Sequence, residues 1–313
     1  MAADMEALAR RGFTGVLHTF SENDLRYYRQ QLTRIVEVSQ EAGLEVQVGA
    51  WAIALLFGGE AESWFSAAHP ETGQVFDDGR PVGAGCPNQP VVRAYVRSWA
   101  DAAVATGADR IFWDEPHWAD PRRFGHDRRR WACRCQACQR RFRGRYGEPM
   151  PATLTPAVVE FRQAALVEFL HELVAHVHRS GGRSTVCVLP AGPEGRQPSD
   201  WEAVAAAPGL HTLATDPYWG LADEPAARYV GASAQRVRTL ADARGIGAQL
   251  WIQGFGLGPQ DEADIRAAVA AAREAGVDDL WAWGFEACAH MPALGTRDPQ
   301  RVWAILADAL TGR

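Results

Sequence analysis

The sequence contains no lysine; all 32 basic side chains are arginine. With no side-chain amine, a Schiff-base aldolase, a pyridoxal-phosphate lysine and a phosphate-loop lysine are excluded. Long apolar runs are missing as well. Nothing approaches the roughly 20 consecutive apolar residues of a membrane span, and no apolar leader opens the chain. The expectation is a cytoplasmic protein with no membrane partner. Positive charge is in deficit, at a net −6, which argues against a general binder of nucleic acid or anionic membrane. That deficit reverses locally, where Arg122 to Arg145 holds ten arginines and one acid, Asp127. The stretch reads as an exposed loop, an anion site or a contact between copies in a homo-oligomer.

Tryptophan, in contrast, is abundant at 12 residues. Its N–H needs a partner when buried, so this density suggests flat stacking surfaces of the kind that carry sugars. The 313 residues suit one barrel-sized domain of about 250 residues plus insertions. Short apolar runs alternate with helical patterns, the signature of repeated βα units. Strands are expected at Phe13–His18, Leu44–Trp51, Arg110–Trp113, Ser184–Leu189, Thr212–Thr215, Ala248–Ile252 and Asp279–Trp283. Helices are expected near 22–42, 89–106, 157–180, 199–206, 224–243, 260–275 and 298–311, with Asp4–Arg11 as an opening helix. This predicts an α/β fold, a (β/α)8-type TIM barrel over 1–313, with seven strands visible and the first one missing before Met1. Two excursions, 52–88 and 114–156, leave from the C-terminal ends of strands, where barrel active sites are built.

Chemistry concentrates in Trp113-Asp114-Glu115-Pro116-His117-Trp118. Two adjacent carboxylates at a strand end repel each other and sit against aromatic rings, and both effects raise one pKa toward that of a general acid. The plainer reading is a helix-capping acid beside a turn proline. Asp216, in Thr215-Asp216-Pro217-Tyr218-Trp219, either activates a water or starts a turn. Glu286, after Trp281-Ala282-Trp283, is a third catalytic candidate or a solvated, salt-bridging side chain. His18 closes the first visible strand, facing the cleft or the barrel wall. Phe57-Gly58-Gly59-Glu60 reads as a mobile lid, with Glu60 and Glu62 solvated. Trp51, His117, Trp118, Tyr218, Trp219, Trp251, Gln253 and Trp283 complete the expected sugar cleft; Trp113 is also expected near its mouth. Cys133, Cys135 and Cys138 fall within six residues and can wrap a tetrahedral zinc, with Cys86 or His126 as fourth ligand. Cys187 and Cys288 read as buried thiols.

Cys86-Pro87-Asn88, the strand ending in Asp114-Glu115, Cys133-x-Cys135-x2-Cys138 and Phe142-x3-Tyr146-Gly147 together resemble the family 42 β-galactosidases over residues 10–150. Those are clan A (β/α)-barrel glycosidases. The resemblance implies a structural zinc on Cys86, Cys133, Cys135 and Cys138, and Glu115 as acid/base. Two departures stand out. Asp114 replaces the usual asparagine, and Gln253 occupies the place of the strand-seven nucleophilic glutamate. The Asp-Glu pair is similar instead to family 20 and 123 hexosaminidases, which implies Asp114 as orienter of a 2-acetamido group, Glu115 as acid and Tyr218 as helper. A water-activated inverting mechanism needs a second carboxylate about 6.5–9.5 Å away, with Asp216 the candidate. The expectation is thus a glycoside hydrolase acting on a small or oligomeric sugar. The alternatives are a non-hydrolytic carbohydrate-active barrel and a sugar-binding pseudoenzyme. Zinc-ribbon binding to nucleic acid conflicts with the net charge.

Overall fold

The computed structural model describes residues 1–190, 196–258, 261–291 and 293–312, which fall into two compact units. Residue 260, the first of the expected 260–275 helix, lies outside the described residues. Among the described residues no helix is long and apolar enough to cross a membrane.

The larger unit comprises Val16–Glu37 and Glu45–Leu210. It carries strands β1 (Gly15–Phe20), β2 (Glu45–Ala50), β3 (Gly73–Val75), β4 (Pro81–Gly85), β5 (Arg110–Trp113) and β6 (Ser184–Val188). β1, β2, β5 and β6 lie side by side in chain order. β5 runs parallel to both neighbours, with Gly49 opposite Phe112 and Trp113 opposite Val186. Successive side chains of a strand point to opposite faces. Ile111 and Trp113 therefore share one face, while Arg110, Phe112 and the following Asp114 share the other. Trp113 packs between Trp99 of the helix Pro90–Val104 and Phe57, at 5.5 and 5.4 Å between ring centres, and its Nε1 donates to Ser184 Oγ at 3.2 Å. Phe57 in turn meets Phe169 of the helix Pro156–Arg179. That long helix starts as its sequence dictates. Thr155 Oγ1 accepts from Val158 N, and Pro156 fills the first turn, where no N–H is needed.

A second core lies in the same unit, under the excursions. Phe76, Val82, Cys86, Trp118, Trp131, Cys133, Cys138, Phe142 and Phe161 form one buried cluster. The antiparallel β3–β4 hairpin and the helix Gln136–Tyr146 frame it; neither element was expected within its excursion. The helical pattern over 22–42 breaks at Tyr28 into Glu22–Tyr27 and Arg29–Glu41.

The smaller unit comprises Met1–Gly15, Val38–Leu44 and His211–Arg313. Its strands β7 (Leu210–Thr215), β8 (Gly247–Gln253) and β9 (Asp279–Trp283) run parallel. Helices Ala226–Arg244 and Glu262–Glu274 pack on β8. The register sets Gln249 opposite Asp279, Trp251 opposite Trp281 and Gln253 opposite Trp283. All seven expected strands of the parallel type are present, with ends moved by one or two residues. β1 starts two residues late because Phe13 is taken up by stacking on Trp303, 5.4 Å away and nearly coplanar.

Candidate active site and cysteine cluster

Alternation along β5 sends Asp114 to the face opposite Trp113 and its helix-side core. The peptide of Gly58 lies against the Asp114 carboxyl. Gly58 N donates to Asp114 O at 2.9 Å, and a β-carbon on Gly58 would stand 2.5 Å from Asp114 Oδ2. Burial, reinforced by the charges of Glu115 and Glu60, pushes the Asp114 carboxyl well above the usual carboxylate range. Glu115 follows with φ +39, a left-handed conformation that a non-glycine residue adopts only where its surroundings enforce it. The next turn is fixed by His117, whose Nδ1 donates to Glu115 O at 2.7 Å and whose N–H donates to Leu56 O at 2.9 Å. Burial holds the His117 pKa down.

Several expectations for this unit are corrected. The lid read into Phe57-Gly58-Gly59-Glu60 is a fixed segment. Phe57 is fully buried, Ala52 N donates to Gly58 O at 2.8 Å, and Gly58 is bonded to Asp114. Trp113 points at the helices because strand alternation gives the cleft side to its neighbours. Trp118 has no open ring face. It is fully buried in the second core, its Nε1 donating to Arg162 O at 3.3 Å. Trp51 is half-buried, with Gly59 (φ +122) pressed so near its ring that a β-carbon would lie 2.6 Å away. His18 alternates with Leu17 and so shares the side of Phe20, which packs on Trp99. Burial lowers its pKa to about 4. Glu60 and Glu62 are exposed, as expected.

In the smaller unit, Asp216 and Trp219 are buried and Tyr218 is half-buried, its ring edge-on to Phe255 at 5.0 Å. Gln253 is buried with its amide committed to the backbone. Its Oε1 accepts from Gly220 N and its Nε2 donates to Phe255 O, both at 3.0 Å. This glutamine is a structural tie and not a latent nucleophile. Trp251 is buried beside Trp281, and the two indoles donate to Gln249 Oε1 and Asp279 Oδ1. Trp251 is thus one rung of a polar and aromatic ladder, and Trp283 is a half-buried rung at its end. Glu286 lies in the turn Phe285–Cys288 with φ +49, 3.7 Å from His290 Nε2, on a cavity of about 500 Å³ that Arg11, Phe285 and Trp303 also line.

The sulfurs of Cys86, Cys133, Cys135 and Cys138, all buried, lie within 4.8 Å of one another. Cys86 Sγ is 3.5 Å from Cys138 Sγ and 3.6 Å from Cys135 Sγ. Four sulfurs about 2.3 Å from one tetrahedral zinc would stand about 3.8 Å apart. N–H groups converge on them: Val75 N and Cys135 N donate to Cys133 Sγ, Asn88 N to Cys86 Sγ, and Asn88 Nδ2 to Cys138 Sγ, at 3.3–3.4 Å. Arg162 brings a buried guanidinium, 5.9 and 5.7 Å from the ring centres of Trp118 and Trp131. Burial lowers its pKa to about 9 while Cys133 and Cys138 oppose the fall. The donor set fits a divalent metal. His126 packs on Phe76 and takes no part in the four-cysteine group. Cys187 and Cys288 are buried thiols. Sequence reasoning missed Glu22, a buried carboxylate that accepts from Ala54 N, Ser63 Oγ and Phe65 N. Its capping neighbour Ser21 was visible, but nothing in the local sequence marks these partners, 32 to 43 residues away.

Neither a protein-family model nor a curated protein matches this sequence. Solved structures do. The catalytic domain of a β-amylase from Paenibacillus polymyxa matches with a TM-score of 0.67 over 99% of this chain and 94% of its own, at 12% identity. A catalytic mutant of a family 42 β-galactosidase from G. stearothermophilus gives 0.71 over 99% of this chain and 53% of its own, at 12% identity. An exo-β-1,4-mannosidase from Opitutaceae bacterium strain TAV5 gives 0.59 over 100% and 55%, at 15% identity. The chain spans about half the length of the last two. At such identities it is the fold that is shared: an α/β fold of the TIM-barrel type, similar to that of these three glycosidases.

Proposed function

We propose that this chain is a glycoside hydrolase that cleaves a small or oligomeric sugar, with Glu115 delivering a proton to the glycosidic oxygen. One observation carries the reading: two adjacent carboxylates end β5, one of them pushed up in pKa beneath Gly58, on a fold that glycosidases carry. Burial and the neighbouring charges favour the protonated form of Asp114, and Glu115, next in the chain, takes the acid role that the resemblance to family 42 implies. The positive φ at Glu115 and the hydrogen bond from the His117 ring to its carbonyl fix the main chain that carries that carboxyl.

The Cys86, Cys133, Cys135 and Cys138 set would hold a structural zinc. Four thiolate ligands close the coordination sphere, so the metal would fix the two excursions and leave the chemistry to the carboxylates. With the Gln253 amide tied to the backbone, the ordinary retaining dyad is not available. The second catalytic role then falls to a substrate 2-acetamido group oriented by Asp114, or to a water activated by Asp216.

The test is hydrolysis of a panel of chromogenic glycosides, with and without a 2-acetamido group. Glu115→Gln keeps the shape and removes the proton, so the rate should fall about 10²–10⁴-fold. Severe loss in Asp114→Asn with cleavage confined to acetamido sugars selects substrate assistance; loss in Asp216→Asn selects activated water. Full activity in Glu115→Gln refutes both versions. A second reading, sugar binding without turnover, is favoured by the structural role of Gln253, and would show as retained binding with no hydrolysis by the wild type.

A further inference from the structure

The buried carboxylate of Glu22 builds a surface that the proposed reaction does not use. Its Oε1 accepts from Ala54 N at 2.8 Å and Ser63 Oγ at 2.7 Å, and its Oε2 from Phe65 N at 2.7 Å. Trp64 stands between two of these anchors. Phe65 is held from its other side as well, stacked on Tyr95 at 4.1 Å and nearly coplanar. The clamp leaves Trp64 nowhere to turn but outward, and it is 46% exposed. Arg26, on the helix that Glu22 begins, lays its guanidinium over the Trp64 ring at 4.3 Å and within 5.1 Å of the Tyr27 ring centre. Tyr27 and Tyr28 are themselves more than half exposed. Isolated surface aromatics need no explanation, but this is a contiguous patch held rigid from beneath.

We infer that this patch binds an acidic residue, a uronate, of an oligosaccharide chain. The C–H face of a sugar ring lies on Trp64 and the tyrosines, whose rings need little ordering on binding. A guanidinium stacked on ring faces presents its N–H edge outward, the geometry that grips a planar carboxylate with two parallel bonds. Charge decides the occupant. Arg26 sets a guanidinium among the exposed rings of Trp64 and Tyr27, complementary to the carboxylate of a uronate. Asp24 and Glu62 lie near these residues in sequence, so the preference comes from this one contact and not from the charge of the surface. Trp64 follows Gly58, the residue over Asp114, by six positions, and six extended residues reach at most about 21 Å. An oligosaccharide can span that length. The inference rests on the glycosidase reading and assigns its substrate class, an acidic oligosaccharide.

The test uses the full chain carrying Glu115→Gln, so that nothing is cleaved. Calorimetry measures affinity for uronate oligomers and for neutral oligomers of equal length. Acidic oligomers should bind about tenfold more tightly, the gain expected of one charge-assisted pair. Trp64→Ala should remove most of the binding to either kind, and Arg26→Gln should erase the acidic preference. Arg26→Lys, which keeps the charge but loses the planar stack, should restore only part of it. Thermal melts confirm that each variant is folded. Equal affinity for acidic and neutral oligomers, or affinities unmoved by Trp64→Ala, overturn the inference. So does a doubled mass in light scattering that Trp64→Ala abolishes, because the patch would then be a contact between copies. If acidic oligomers bind as expected and the wild type hydrolyses nothing, the glycosidase reading fails and the site stands. If chromogenic glycosides are cleaved without any acidic preference, the site fails and the glycosidase reading stands.

Discussion

Replacing Gly58 with alanine probes the Asp114–Glu115 pair without altering either acid. The added β-carbon would lie 2.5 Å from Asp114 Oδ2 and 2.9 Å from Asp114 Cγ, against 3.4–4 Å for ordinary contact. Something must move by about 1 Å. The Gly58 peptide is bonded on both sides, to Ala52 N and to Asp114 O, so the Asp114 carboxyl is the part that yields. Twisting it off its rotamer costs about 0.5–1.5 kcal/mol, which lowers the melting temperature by a few degrees at most in a chain of this size. The kinetic cost is larger, because a 1 Å error in a catalytic group can cost about 10²-fold. Moving the carboxyl from under its cover also weakens the desolvation that raised its pKa. The expected result is a 10- to 100-fold fall in kcat/KM on a chromogenic glycoside. Gly83→Ala is the matched control, since nothing lies within 4 Å of its β-carbon. Unimpaired activity in Gly58→Ala would show that the Asp114 carboxyl has no part in the reaction.

Two further outcomes follow from other residues. Purified protein should contain about one zinc per chain; chelation should lower the melting temperature and open 52–88 and 114–156 to protease before the rest, and an unchanged digestion pattern would count against the metal. His18, held near 4 against 6.5 for the free side chain, refuses a proton that the unfolded chain accepts. Its contribution to stability is therefore complete above pH 6.5 and declines as pH falls toward 4, by about 3 kcal/mol at 1.36 kcal/mol per unit. Urea unfolding of wild type and His18→Gln at pH 7 and 4.5 checks this, and an identical loss in both proteins would clear His18 of the role.

The parallel strands were legible because their signal is local. Ile111-Phe112-Trp113 and Leu250-Trp251-Ile252 are apolar on both faces, as strands covered on both sides must be, and glycines mark the turns before several of them. The four cysteines were legible because metal-ligand spacing is itself a sequence pattern. The direction in which each tryptophan points was not. Proximity to a strand end placed Trp113 in the cleft, and a shift of one residue in alternation sends it to the helices instead. Trp118 was misplaced for another reason: the excursions build a core of their own, and Trp118 enters it from a loop, which has no period to read. Glu22 shows the same limit, since its three partners lie in a segment that only the folded chain brings back to it.

That core ties the fates of the two excursions together. Cys86 comes from the first, and Cys133, Cys135 and Cys138 from the second, so neither carries a complete ligand set. Exchanging one excursion for its counterpart from another barrel would leave three sulfurs lacking a fourth, or a lone thiol facing Trp118 and Phe142. Shortening either would open the same gap. The two therefore behave as a single cassette, in evolution and in the hands of an engineer. Diversification of this part of the larger unit has to come from both excursions changing in concert, or from loops that the cysteines do not hold.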